Sequence, residues 1–407
     1  MRVLLITSTR KDLVNVWVCQ ETSPAGSLLP PVDLASLAAV VRAQGHEASI
    51  CDLRLARSPA RAYRSALERF RPDAVVLNLA TTGAEDDFAL IKTTPDSIKR
   101  VCFGTHAQSL PQEVFAEGFD YILLGDPEAG LVNLLTHALD GQAAEGVLTP
   151  DRLTQKAALW EDLDTMPFPA LDLLDLGRYR SSMVRRGKRF TLLMGSRGCP
   201  YSCTYCLYPV LLGSDSRLRS VKSICDEIEE DVRSHGIRSF YFLDATFNIK
   251  IGRAEAFAEE LLSRNLKIDW SCNMRVAPVS REMLRLLKRS GCDWILYGVE
   301  DQDFLVETKK ATTKDATLEA FRLTREAGIS TIAFTMIFAR PGLSEQRYAR
   351  EMLRVLRLLE ADAFQCNIAI PFPGTEMYQI EEAKGSPSRR WSLYDPHGAQ
   401  LPYETEI

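Results

Sequence analysis

Three cysteines, Cys199, Cys203 and Cys206, fall within the run Gly195-Ser196-Arg197-Gly198-Cys199-Pro200-Tyr201-Ser202-Cys203-Thr204-Tyr205-Cys206, a C-x3-C-x2-C spacing. Three thiolates on one short loop can turn toward one face of a cube. Thiolate is the soft donor that iron–sulfur clusters require, and a [4Fe–4S] cube held by three cysteines leaves one iron without a protein ligand and open to chemistry. Structural zinc would want a fourth Cys or His, more commonly in a second paired C-x2-C, and no such pair is present. His106, His235 and Cys225 are candidates for that fourth ligand, yet none stands at a local metal-ligand spacing from the triplet.

Such a loop needs a strand to carry it and helices to brace it. Residues 189–194 read as that strand, and five more are expected at 239–243, 268–273, 294–297, 331–338 and 364–370. Between them, residues 224–234, 253–264, 281–290, 314–327 and 344–359 carry apolar side chains at helical spacing. Six strand–helix steps make three-quarters of a (β/α)8 barrel, whose functional loops follow the carboxyl ends of the strands. The cysteine loop follows the first.

Residues 1–145 form a separate α/β series, with strands expected at 3–7, 48–53, 74–79, 100–104 and 121–125 and helices at 33–43, 60–70, 86–92 and 112–117. Gly45 stands where a helix C-cap is wanted. This is a doubly wound, Rossmann-like domain, in which ligands lie outside the carboxyl ends of the strands. The loops that matter are therefore Ser8-Thr9, Ala80-Thr81-Thr82-Gly83, Gly104-Thr105-His106 and Gly125-Asp126-Pro127-Glu128. No G-x-G-x-x-G follows the first strand, which argues against a dinucleotide domain; the loop there runs long, to Leu29-Pro30-Pro31. Residues 146–188 read as an ordered linker packed by its apolar side chains, 189–375 as the barrel, and 376–407 as a short polar tail that closes the barrel or stands apart.

With 407 residues, 46% hydrophobic, 25% charged and a formal charge of −5, the chain is an ordinary globular protein of two or three domains. The mildly acidic balance weighs against nucleic acid as the main partner. No apolar run approaches the roughly 18 residues that span a bilayer, so no membrane span is expected and the protein reads as cytoplasmic, with no cleaved leader. Of the ten cysteines, Cys225, Cys272, Cys292 and Cys366 fall in expected helices or strands and read as small buried hydrophobes.

With these elements in place, the sequence resembles the radical S-adenosylmethionine (radical SAM) enzymes, whose signature is C-x3-C-x-aromatic-C on the loop after the first strand of a partial barrel; Tyr205 holds the aromatic position. The resemblance implies that Cys199, Cys203 and Cys206 ligate a [4Fe–4S] cluster and that S-adenosyl-L-methionine chelates the open iron. An electron from the cluster then yields methionine and a 5′-deoxyadenosyl radical. Arg219-Ser220-Val221, Phe242-Leu243-Asp244-Ala245-Thr246-Phe247, Tyr297-Gly298-Val299-Glu300 and Pro371-Phe372-Pro373-Gly374-Thr375 look like further segments of this family. By the same resemblance Glu300, beside Gly298, is expected to meet the methionine ammonium and Arg275 a carboxylate, with Tyr205 and Asp244 against the cofactor.

A doubly wound domain ahead of such a barrel is similar to the cobalamin-binding subfamily. Pro30-Pro31-Val32-Asp33-Leu34-Ala35-Ser36-Leu37, Gly45-His46-Glu47, Gly104-Thr105-His106-Ala107 and Gly125-Asp126-Pro127-Glu128 sit where that subfamily carries related segments. The resemblance implies that Ser8, Thr9, Thr81, Thr82, Gly83, Gly104, Thr105, His106, Gly125, Asp126 and Glu128 seat a corrin, small side chains letting the backbone approach the flat ring. The D-x-H-x-x-G motif that ligates cobalt in some other cobalamin proteins is absent, so no motif supports His106 as a lower ligand.

The implied reaction is methyl transfer. One S-adenosylmethionine methylates cob(I)alamin, a second yields the radical, and an unactivated carbon of a small-molecule or carrier-bound substrate takes the methyl group. Cyclisation, ring contraction or oxidation on the same cofactors fits the same residues. A methylthiotransferase with a second cluster from Cys19, Cys51 and Cys102 fits less, because Cys51 and Cys102 fall at or inside expected strands. So does a non-catalytic corrinoid or redox sensor, which would not need Asp244, Glu300 or the turn at 371–374. The run Arg185-Arg186-Gly187-Lys188-Arg189 suits docking of an acidic flavodoxin or ferredoxin that delivers the electron. Only 33 residues follow Gly374, and the region that usually covers the substrate in this subfamily is expected to be short.

Overall fold

Parallel strands cannot be joined by tight turns, so each must return over the sheet through a crossover, here mostly a helix. A computed structural model describes residues 1–10, 13–16, 19–22, 27–137, 142–181, 184, 188–300, 308–338, 345–385, 387–397 and 402. The chain forms two units: Met1–Ser182 with Leu207–Gly213 and Pro371–Pro402, and Met183–Cys206 with Ser214–Ile370.

The first unit is built on β1 (Arg2–Ile6), β4 (Glu47–Cys51), β5 (Ala74–Asn78), β6 (Lys99–Phe103), β7 (Tyr121–Leu123) and β8 (Val147–Leu148), in the order β4-β1-β5-β6-β7-β8. All pairs are parallel except β7 with β8. The order reverses at β1, so a ligand crevice is expected where the loops after β1 and β5 diverge. Val3, Leu5, Leu37, Val76, Phe103 and Leu123 are buried in the core between the sheet and its helices.

Five elements of this unit carry no clear period in the sequence. The long loop after β1 contains a hairpin, β2 (Leu13–Val16) against β3 (Cys19–Thr22). The loops after β6 and β7 wind directly into helices, Thr105–Ser109 and Pro127–Thr136, the latter with Pro127 in its first turn. A two-residue strand such as β8 is too short to show alternation.

The linker packs through buried Leu163, Ala170, Leu171 and Leu176. It is tied further by the Tyr179 hydroxyl, which donates to Asp52 Oδ2 at 3.0 Å beside the buried Asp52–Arg54 pair. Pro371–Pro402 does not stand apart as a tail but belongs to this unit: the Thr82 hydroxyl donates to the Tyr394 carbonyl at 2.6 Å and Ser109 to the Pro373 carbonyl at 2.9 Å.

The second unit is a six-stranded parallel sheet in the order β16-β15-β14-β13-β12-β9. Its strands are β9 (Phe190–Leu193), β12 (Ser239–Phe242), β13 (Asp269–Met274), β14 (Cys292–Gly298), β15 (Ser330–Ile337) and β16 (Ala363–Ile368). A small antiparallel hairpin, β10 (Ser196–Arg197) with β11 (Arg217–Leu218), follows the first strand. Helices Val221–His235, Ile251–Ser263, Arg281–Arg289, Lys314–Glu326 and Glu345–Leu359 make the crossovers, giving the expected partial (β/α)6 barrel. Phe242, Phe247, Phe257 and Trp270 pack together with ring centroids 4.9 to 5.9 Å apart. Among the described residues no helix is long and apolar enough to cross a membrane.

Gly104 closes β6 at φ 110°, and a Cβ there would sit 2.6 Å from Asn78 Oδ1 and 2.7 Å from the Leu79 carbonyl. Gly104→Ala combines backbone strain with overlap and is expected to cost at least about 1–3 kcal/mol of stability. Denaturant unfolding at constant slope checks this; a change under about 0.5 kcal/mol would place the residue outside any tight approach.

Candidate active site

The barrel site begins one step before its cysteines. Asp244, fully buried at the end of β12, accepts the Gly195 N–H at 2.8 Å through one carboxylate oxygen and the Ser196 hydroxyl at 2.5 Å through the other. The Gly195 carbonyl in turn accepts the Arg253 guanidinium at 2.6 Å and the Arg219 N–H at 2.9 Å. Both backbone polar groups of Gly195, at the loop entrance, are thereby fixed. Burial raises the Asp244 pKa, opposed by the Arg253 charge and by its donors. Asp244 therefore clamps the loop with both oxygens.

Within the loop, the Cys206 N–H donates to the Cys203 carbonyl at 3.1 Å, a turn that sets the last two thiols, and the Thr204 N–H donates to the Thr308 carbonyl at 3.2 Å. Cys199 is buried and Cys203 and Cys206 are half-buried. Burial raises the Cys199 pKa, while Arg275 and Lys310 pull it down. Arg275 stacks over the Tyr201 ring at 3.8 Å and donates to the Ala311 carbonyl at 2.7 Å, bracing the loop from the end of β13. Tyr205 sits 5.6 Å from Phe338, edge to face.

Glu300 is 1% exposed and has φ 55°, rare for a residue with a side chain. Such strain persists only where surroundings over-determine it. Here Oε2 accepts the Met336 N–H at 2.9 Å and Oε1 faces Lys310 Nζ at 3.0 Å. The Tyr205 hydroxyl also faces this carboxylate, which with burial pushes the phenol pKa well up.

The donor set suits a cluster. Among the described residues no three His, Cys, Asp or Glu side chains converge tightly enough for one metal ion. An iron–sulfur cube spreads its thiolates more widely than a single ion, and three soft thiols are its proper ligands.

At the carboxyl edge of the first unit, the loops flanking β1 and β5 meet on one residue that the sequence reading did not single out. Asp87 Oδ1 accepts the Ser8 hydroxyl at 3.1 Å, the Thr9 N–H at 2.9 Å and the Thr9 hydroxyl at 3.0 Å, while its Oδ2 is buried without a partner. Burial lifts its pKa to about 6. Thr81, Thr82, Gly83 and Thr105 line the same edge. Gln108 Nε2 is likewise buried and unpartnered.

His106 is fully enclosed: Nδ1 lies 3.3 Å from the Thr81 hydroxyl, Nε2 lies 3.7 Å from Glu113, and the ring meets Trp391 edge-on at 5.0 Å. Burial lowers its pKa. An imidazole so packed has no open approach as a cobalt ligand. Two further expected residues are held by protein: Asp126 accepts the Trp160 N–H at 2.8 Å, and Glu128 the Ser36 hydroxyl at 2.7 Å. Gly125 pairs in a short parallel bridge with Ala158. Cys51 ends β4 and Cys102 is buried inside β6, whereas the side chain of Cys19 lies outside the described residues.

Residues 193–355, which contain all three loop cysteines, match the Radical SAM superfamily model. The protein carries a radical SAM domain. The chain is 24% identical over 393 residues to an uncharacterized methyltransferase of Pyrococcus horikoshii, covering 93% of this chain and 83% of the relative. It is 29% identical over 336 residues to the anaerobic magnesium-protoporphyrin IX monomethyl ester cyclase of Cereibacter sphaeroides, covering 77% of this chain and 54% of that protein. Its fold matches that of the radical S-adenosylmethionine methyltransferase TsrM from Kitasatospora setae, solved with cobalamin and a [4Fe–4S] cluster bound, at TM-score 0.74 and 20% identity over 95% of this chain and 75% of that one.

The raised Asp87 pKa makes a prediction whose sign is fixed. The folded chain holds the Asp87 proton more tightly than the unfolded chain, so this contribution is fully present below the ordinary carboxyl value near 3.8 and is lost as pH climbs through about 6. In Asp87→Asn the amide oxygen keeps the Ser8 and Thr9 donors and nothing titrates. The stability of wild type relative to D87N should therefore fall by about 2 kcal/mol between about pH 4 and about pH 7. Denaturant titrations across that range measure it, and a difference that does not move with pH would show that Asp87 does not titrate there.

Proposed function

We propose that this radical SAM enzyme is cobalamin-dependent and moves a methyl group from S-adenosylmethionine to an unactivated carbon of a small-molecule or carrier-bound substrate. One observation carries the reading. A three-thiol barrel loop shares the chain with a second parallel sheet whose reversal-point edge keeps buried polar atoms, Asp87 Oδ2 and Gln108 Nε2, without protein partners. Buried polar groups are normally satisfied, so orphans at a ligand edge favour a large polar ligand. The names of the relative and the matched structure support methyl transfer.

In this reading Cys199, Cys203 and Cys206 hold the cluster, and Glu300 receives the methionine ammonium. Tyr205 and the Met336 N–H orient that carboxylate, Asp244 and Arg253 fix the loop entrance, and Arg275 braces Tyr201. Ser8, Thr9, Thr81, Thr82, Gly83, Gly104 and Thr105 offer hydroxyls and close backbone to the corrinoid. When bound, the cluster supplies reductive cleavage of S-adenosylmethionine and the corrinoid a methyl carrier. An acidic flavodoxin or ferredoxin is the proposed electron donor; of the basic run expected to meet it, Arg185, Arg186 and Gly187 lie outside the described residues. Ring formation on the same cofactors is a second reading, favoured by the similarity to the cyclase.

Anaerobic reconstitution with iron, sulfide and hydroxocobalamin tests the proposal. Wild type should hold a [4Fe–4S] cluster and a corrinoid, form 5′-deoxyadenosine with dithionite, and pass labelled methyl from S-adenosylmethionine into a product of a small-molecule extract. Replacing the three cysteines by alanine should abolish iron binding and 5′-deoxyadenosine while leaving corrinoid binding intact. A cluster without corrinoid defeats the cobalamin reading, and 5′-deoxyadenosine without methyl label in any product moves the assignment to ring formation.

A further inference from the structure

The two oxygens of Glu300 are held unequally. Oε2 accepts a backbone N–H, that of Met336, which cannot leave without distorting β15. Oε1 is met at 3.0 Å by the Lys310 ammonium, a compact charge on a flexible four-carbon stem. The pair is well shielded, the Lys310 side chain 11% exposed and that of Glu300 2%. Nζ also lies directly over Gly298, where a Cβ would sit 2.5 Å from it. A lysine charge therefore rests between Gly298 and Glu300.

We propose that Lys310 is an exchangeable counter-ion of Glu300, holding the seat that the amino group of S-adenosylmethionine takes and leaving it when the cofactor binds. This rests on the reading of Glu300 as the partner of the methionine ammonium. A buried carboxylate without a cation is costly, so the chain supplies one while the seat has no other. Of the donors named on this carboxylate, the Met336 N–H and the Tyr205 hydroxyl are neutral and Lys310 is the cation, so charge exchange occurs at Oε1 while Met336 holds Oε2 in place. The glycine at 298 leaves room for either ammonium. Each binding event breaks a charged hydrogen bond as it forms another, so the site sets affinity below what Glu300 alone would give.

The test measures binding. Full-length, cluster-loaded wild type, Lys310→Met and Lys310→Arg are compared by anaerobic equilibrium dialysis against S-adenosylmethionine and against its analogue lacking the α-amino group. K310M should bind S-adenosylmethionine roughly tenfold more tightly than wild type, the scale of one charged hydrogen bond, with no gain for the deamino analogue. K310R, which keeps the charge, should remain close to wild type. Weaker or unchanged binding by K310M, or an equal gain for both ligands, would overturn the proposal. Lys310→Gln serves in its place if K310M fails to load the cluster. Glu300→Gln separates the two levels: if it leaves the preference for the amino-bearing ligand unchanged, the reading of Glu300 itself fails, whatever Lys310 does.

Discussion

The site hangs on a buried carboxylate that touches no cysteine. Asp244 holds the Gly195 N–H and the Ser196 hydroxyl, and Arg253 and Arg219 hold the carbonyl of the same glycine. Hydrogen bonds to a charged group in a shielded place are stronger and shorter than neutral ones, so this peptide has little freedom. A flexible entrance would let three thiols separated by only seven bonds of sequence adopt many arrangements. Fixing it from β12 and from the helix at Ile251–Ser263 makes their placement a property of the barrel.

The same economy governs the first unit. Its sheet reverses order at β1, and Asp87, on the helix after β5, holds the loop after β1 with one oxygen. Its second oxygen remains buried and unpartnered, which is unfavourable for the isolated chain and suited to a ligand. Positive charge is close but does not reach it: Arg10 turns to the Thr82 carbonyl and to Asp395.

Much of this was legible in the sequence because it is periodic or local. The eleven main strands show as apolar runs, Gly45 marks a helix end, and the cysteine spacing points to its own chemistry. Ser8, Thr9, Thr81 and Thr105 could be placed at the carboxyl edge of the sheet from the sequence because each follows a strand. What stayed hidden depends on partners distant in the chain. Nothing near Lys310 announces Glu300, nothing near Asp87 announces Ser8, and the role of Asp244 as a clamp needs its 49-residue reach back to Gly195. The polar stretch after residue 375 suggested a tail that closes the barrel or stands apart because its anchors in the first unit, Trp391 and Tyr394, are single aromatic residues without a repeat.

Those anchors bear on the order in which the protein is made. Trp391 donates to Glu113 and meets the His106 ring, and Tyr394 accepts the Thr82 hydroxyl across 312 residues of chain. A chain emerging from the ribosome therefore presents the first unit with Thr82 and His106 uncovered while the whole barrel is still being synthesised. Its last contacts are the slowest to close, since loop closure over such a span carries the greatest entropy cost. Until then the edge of the sheet stands open to solvent, and residues 371–402, made after the barrel, complete a unit begun before it.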